Sequence, residues 1–216
     1  MSESVVGKLI GPRSGNAGRG PGGQPGAPGD GEALRPGVTP QRAYVTGMTV
    51  ALAGIVLYFM ALVSAFIVRR NIAGDEWLPL QIPVILWVTT PVLILSSFTI
   101  VRAGKRLKEG DEDGFRLWWN LTAALGIFFF LGQVSSWAQL SQAGLNIASN
   151  PSRGFFYVFT ASHAIFLLGG FLAVTSVAFW LPRHLSRATA IEVLSMYWHF
   201  LDGLWVFLFL LLLLGK

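Results

Sequence analysis

The sequence contains no cysteine, and only 12% of its 216 residues are charged. The first absence excludes disulfide scaffolds, thiolate catalysis and cysteine-ligated zinc or iron–sulfur centres. The second leaves too little polar surface for a water-exposed globule, in which about 25% of residues carry charge. Apolar residues make up 53% of the chain, the composition of a membrane protein. Lys and Arg number 16 against 11 Asp and Glu, a formal net charge of +5. Whether that excess points to nucleic acid or to something else depends on where the basic residues lie.

Positions 1–43 contain no Phe, Trp or Tyr, and the same stretch holds 11 of the 25 glycines and 6 of the 11 prolines. A segment of this kind cannot bury a core and is expected to be a disordered tail. The body, 44–216, is of another character. Tyr44 to Val68 is 25 residues without a charge, long enough at about 1.5 Å per residue to cross a hydrocarbon core about 30 Å thick. Leu78 to Val101, Leu117 to Leu140, Gly154 to Leu181 and Val193 to Gly215 repeat the pattern, interrupted by no more than a His or an Asp. Without water to satisfy backbone groups, such runs must be helices. The expected fold is therefore an all-α integral membrane bundle of five transmembrane helices.

Counting Lys and Arg on alternate sides orients it. The tail, the second loop (Arg102, Lys105, Arg106, Lys108, Arg116) and the fourth loop (Arg183, Arg187) carry 12, while Arg69, Arg70, Arg153 and Lys216 lie on the other side. The N-terminus is expected in the cytoplasm and the C-terminus outside. The basic charge then reports topology, and no nucleic-acid partner is expected. Trp77, Trp118, Trp119 and Trp180 stand at span ends, where indole rings anchor at the interface. Pro79, Pro83 and Pro91 predict a kink or an irregular start in the second helix.

Ionisable groups inside a bilayer cost about 2.5 to 3.5 kcal/mol on insertion scales and are the first functional candidates. The fifth run begins IEVLSMYWHFLDGLW. At about 100° per residue, Glu192, Ser195, His199 and Asp202 share one face, a stripe descending to mid-bilayer. His163 lies at similar depth in the fourth run, within plausible reach of Asp202 or His199, and the third run adds Gln133 and Ser136. A b-type cytochrome would need two facing axial histidines, and only His163 and His199 qualify. A proton-coupled transporter could use Glu192, His199 and Asp202 as a relay, although the chain has no internal repeat. An intramembrane hydrolase built on Ser162 and His163 would lack the GxSxG elbow, and one built on Asp202 would lack a second deep acid. The plainer reading is a stripe that bonds helices to one another or to a partner chain.

YWHFLDGLWVFL, Tyr197 to Leu208, resembles the last helix of the haem-copper oxidase subunit 3 family (cytochrome c oxidase subunit III). Glu192 stands seven residues before His199, as the family's acid does. FYVFTASHAIFLLGG, Phe156 to Gly170, GQVSSWAQLSQAG, Gly132 to Gly144, and GMTVALAGIVLYF, Gly47 to Phe59, are similar to the family's segments in the same order. The resemblance covers about 44–214 and corresponds to the five-helix type. It implies an accessory, non-redox subunit of a bacterial inner-membrane terminal oxidase that binds neither haem nor copper. Those cofactors belong to partner subunits, with the catalytic subunit I as the principal one and a respiratory supercomplex as a wider setting. It also implies bound phospholipid, in a cleft between the first two shared helices and the rest, and support of proton uptake. Glu192, His199, Asp202, His163 and Gln133 then become an intramembrane polar seam for packing, and Arg102, Lys105 and Arg106 headgroup contacts. The chain departs from the family pattern twice, with Ile55 at a usual acid position and Phe166 where a second His is common.

Overall fold

A computed structural model of the protein describes residues 41–79, 82–144, 150–179 and 187–215. The Gly/Pro-rich stretch through residue 40, Trp180, Arg183 and Lys216 lie outside the described residues. Five helices cover most of the rest: α1 Gln41–Ala73, α2 Val84–Lys108, α3 Glu112–Gln142, α4 Pro151–Phe179 and α5 Arg187–Leu214. A single 3-10 turn, Gly74–Glu76, follows α1. All five helices are long and apolar enough to cross a membrane.

α1 and α3 extend beyond their charge-free runs at both ends, α2 at its C-terminal end, and α4 and α5 at their N-terminal ends. The second helix departs most from expectation. Pro83, with φ −56° and ψ 136°, is its N-cap, so α2 starts at Val84 rather than near Leu78 and continues to Lys108. Proline fixes φ and disfavours helix in the residue before it, which accounts for the extended approach. Pro91 sits inside the helix, where it removes one backbone donor.

The α2–α3 turn is specified locally. Gly110 has φ 77°. Its N–H bonds Leu107 O at 3.1 Å while the Asp111 N–H bonds Arg106 O at 3.0 Å, a Schellman ending that needs the left-handed backbone glycine adopts. Asp111 then caps α3, accepting from Gly114 N at 2.8 Å, with Glu112 and Asp113 in the positive first turn. Asn150 caps α4 in the same manner, accepting from Ser152 N at 3.0 Å, with Pro151 at the first helical position.

Packing follows from this hairpin. α2 and α3 lie against each other along their lengths, α1 rests on α4 and α5, and α5 packs against α1, α2 and α4. The large rings of Trp198 and Trp205 carry α5 on to Gly126 and Phe129 of α3. The expected division into the first two helices and the remainder is not the one observed. α1 and α2 make no extended contact; they flank α5, because α2 is committed to its hairpin partner α3.

The apolar core of the bundle also holds a set of polar side chains, while the outside is apolar. Thr89, Thr90, Ser96, Thr99, Thr122, Gln133, Ser136 and Thr160 are buried, whereas Leu57, Ile72, Val84 and Leu172 face outward. Hydrocarbon outside rewards that arrangement, since helices associate there by close packing and interhelical hydrogen bonds. Thr99 and Thr122 share such a bond at 2.8 Å. One end of the bundle is stitched by Trp77 Nε1 to Gly215 O at 3.0 Å and Asn150 Nδ2 to Glu76 O at 2.6 Å. The other is stitched by Arg187, bonded to Glu112 at 3.0 Å and stacked over Phe115. Of the expected interfacial anchors, Trp119 is instead 4% exposed and belongs to the core.

At Gly132 the close α2–α3 approach is specific, for a Cβ there would overlap the methyl group of Thr89. Gly132→Ala is expected to cost about 1 to 3 kcal/mol through overpacking. Thr89→Ser in the same chain should recover most of it. Thermal unfolding of the detergent-solubilised protein, followed by circular dichroism, reads both; an unchanged midpoint in Gly132→Ala contradicts the close approach.

Candidate functional site

The motif YWHFLDGLW occupies the middle of α5, and each of its polar side chains is used. Tyr197 donates its hydroxyl to Phe166 O of α4 at 2.6 Å. Trp198 Nε1 donates to Ser96 Oγ at 2.8 Å, and Trp205 Nε1 to Thr90 Oγ1 at 3.1 Å, both on α2. His199 Nδ1 lies 2.9 Å from Ser97 Oγ, and the same hydroxyl donates to Asp202 Oδ2. Serine has one proton to give. With that proton assigned to the carboxylate, the bond to His199 runs from Nδ1–H to Ser97 Oγ. Ser97 thus joins an acid and an imidazole held one turn apart on the neighbouring helix.

The expected seam divides into two places. Asp202 is buried at 5% exposure, while His199 and Glu192 are exposed. These two, with Ser195, line a groove of about 430 Å³ between the end of α2 and the start of α5; Lys105 and Lys108 line it from α2 and Ile100 and Ile191 give it an apolar surface. His163 belongs elsewhere. It is fully buried, its Nε2 donates to Leu201 O at 3.2 Å, and its ring lies 4.9 Å from Trp205 and 5.8 Å from Phe129. Leu201 and Trp205 lie more than a quarter-turn round α5 from His199, and Asp202 is held by Ser97 instead, so His163 meets neither in a hydrogen bond among the described residues. Depth alone placed these groups together; the angular position of α4 around α5 separates them. Gln133 is also fully buried, on α3.

The cations of the α2 end are partly engaged. Arg102 stacks over Trp118 at 5.7 Å. Arg106 pairs with Glu109 at 3.6 Å and Asp111 at 3.4 Å, and Lys105 with Glu109 at 3.8 Å. Arg102, Lys105, Arg106 and Glu109 together line a second hollow of about 180 Å³.

The two departures at Ile55 and Phe166 are linked in space. Ile55 is buried one helical turn before Phe59, whose ring lies 5.8 Å from that of Phe166. Apolar side chains at both positions let this part of the α1–α4 contact pack without polar partners. Nearby, Tyr58 and Ser162 share a hydrogen bond of 2.7 Å, so Ser162 is directed at α1 rather than at His163.

Ser97, Ser96 and Thr90 are the partners the sequence reading missed. Hydroxyls spaced through an apolar run were the available signal, but nothing in the run says which of them faces α5.

The fold and site define a five-helix membrane bundle whose central helix spends its polar groups on neighbouring helices. The profile of the family described as cytochrome c oxidase subunit III matches residues 38–214. A probable cytochrome c oxidase subunit 3 of Mycobacterium tuberculosis is 33% identical over 172 residues, covering 76% of this chain and 83% of the relative. Cytochrome c oxidase subunit 3 of Thermostichus vulcanus is 33% identical over 176 residues (78% and 85% covered), and that of Synechocystis sp. 31% over 179 residues (74% of each). The chain belongs to the cytochrome c oxidase subunit III family, a multi-pass membrane subunit of haem-copper oxidases.

Removing the Ser97 hydroxyl leaves a buried carboxyl without its partner. Ser97→Ala is expected to destabilise the bundle by about 1 to 3 kcal/mol, and Ser97→Thr to retain most of the stability. Unfolding midpoints in detergent measure the difference; equal midpoints for the two variants contradict a role for the hydroxyl.

Proposed function

We propose that this subunit passes no electrons itself and serves a bacterial respiratory oxidase as an accessory chain. Haem and copper belong to its partners, the catalytic subunit I first among them. The observation that carries this reading is the commitment of the α5 motif to helix–helix bonds. His163 is turned to the Leu201 carbonyl and His199 to Ser97, on different sides of α5, an arrangement that supports neither a shared haem between them nor a continuous relay. Membership of the family adds stabilisation of the catalytic subunit and support of proton uptake as its roles.

In this reading the chain sits in the plasma (inner) membrane with residues 1–43 as a cytoplasmic tail and its C-terminus outside, in accord with the excess of Lys and Arg in the second loop. Phospholipid headgroups lie at Arg102, Lys105 and Arg106, where ammonium and guanidinium groups meet phosphate. The groove between α2 and α5 receives an acyl chain, with Lys105 and Lys108 beside the phosphate and the apolar Ile100 and Ile191 along the tail. The electron donor, cytochrome c or quinol, docks on other subunits, and a respiratory supercomplex is a compatible setting.

The tagged chain, extracted in mild detergent, is expected to bring down haem-bearing subunits. Asp202→Ala should shorten the turnover lifetime of the oxidase or loosen its assembly while the reduced-minus-oxidised haem spectrum of the assembled complex stays unchanged. Recovery of the chain alone would favour a stand-alone transporter, and recovery alone with a Soret band a small b-type cytochrome; either outcome overturns the proposal.

A further inference from the structure

One layer of the bundle brings polar groups together without pairing them. Thr99 bonds Thr122, and Thr89 abuts Gly132, so the antiparallel α2 and α3 set Thr89 level with Gln133. Phe129 lies against His163, and Trp137 Nε1 bonds Thr160 Oγ1 at 2.9 Å, so Gln133, midway between those two α3 residues, is level with the turn of α4 from Thr160 to His163. Trp205 of α5 closes the layer, with its ring on His163 and its Nε1 on Thr90.

Thr89, Gln133 and His163 are each 0% exposed, yet among the described residues Thr89 Oγ1, Gln133 Oε1 and Nε2, and His163 Nδ1 have no hydrogen-bond partner, a condition shared with Asp202 Oδ1. Other buried hydroxyls of the bundle do not behave in this way. Thr90, Ser96, Thr122 and Ser136 each bond a carbonyl of their own helix, an option Thr89 leaves unused. The unpaired atoms are chemically complementary. With Nε2–H given to the Leu201 carbonyl, Nδ1 of neutral His163 is an acceptor; the Gln133 amide offers two donors and an acceptor, and the Thr89 hydroxyl one of each. In a hydrocarbon setting, orphaned groups of this kind are costly and few.

We infer that ordered water occupies this layer, shared by Gln133, Thr89 and the Nδ1 of His163. The ligand is small, because the side chains are closed off from the surface. It is neutral, because the groups it meets are amide, hydroxyl and imidazole, while Asp202, the buried acid next to Leu201, is held by Ser97 of α2. It both donates and accepts, because donors and acceptors are left over together. Water meets all three conditions, and buried water typically makes about three hydrogen bonds to otherwise unsatisfied groups. The hydrated layer holds His163 in one tautomer and joins Thr89, Gln133 and His163, which share no direct side-chain bond.

X-ray radiolysis of the intact oxidase in isotopically labelled water tests this, because hydroxyl radicals formed at a bound water mark the side chains beside it. Phe129 and Trp205 are expected to be oxidised faster than Phe59 and Phe66, which are also buried but belong to α1, away from the layer. In Gln133→Leu the rate at Phe129 is expected to fall to that of Phe59, with exposed aromatic side chains unaffected. Equal rates at Phe129, Trp205, Phe59 and Phe66 in the wild-type oxidase overturn the inference, and that comparison decides the matter should the variant fail to assemble. Undiminished labelling of Phe129 in an assembled Gln133→Leu oxidase overturns it as well.

Discussion

A helix that carries tyrosine, tryptophan, histidine and aspartate through hydrocarbon must find partners for them on other helices, and the rest of this bundle is arranged around that need. α5 reaches α4 through Tyr197 and α2 through Trp198, His199, Asp202 and Trp205. Each bond replaces one that water would supply in a soluble protein. The apolar bodies of Trp198 and Trp205, both wholly buried, fill the space toward α3 in the process. Polar tips give direction to contacts whose area is apolar.

The other helices are held by different means. α2 and α3 need few polar bonds because their connection is short, capped at both sides, and Gly132 lets them approach closely. α1 has the loosest attachment, resting on α4 and α5 through Phe59, Phe66 and the Tyr58–Ser162 bond. Ile55 and Phe166 make that attachment more apolar than the family pattern implies. Most of its circumference is left to lipid or to neighbouring subunits, in keeping with a chain that works inside a larger assembly.

Much of the fold was legible before any coordinates. Five charge-free runs gave five helices, and the prolines before α2 foretold its irregular start, although Pro83 delayed the helix further than the apolar run indicated. The site was legible in part. The stripe of Glu192, Ser195, His199 and Asp202 follows from helical periodicity, and it does face one groove at its upper end. That His163 stands apart, that Ser97 joins His199 to Asp202, and that Trp119 is a core residue could not be read, because each depends on how far one helix is rotated against another.

The sequence by itself determined that this is a five-helix membrane protein of the subunit III family, since a hydrocarbon core demands long uncharged helices and the motif in α5 is distinctive. The tertiary structure alone decided which polar groups meet. Periodicity places a side chain at an angle on its own helix; only the packing of α2, α4 and α5 decides whether that angle points to a hydroxyl, a carbonyl or the lipid. Hence Asp202 and His199 converge on Ser97, while His163, at similar depth, turns to the far side of the same helix.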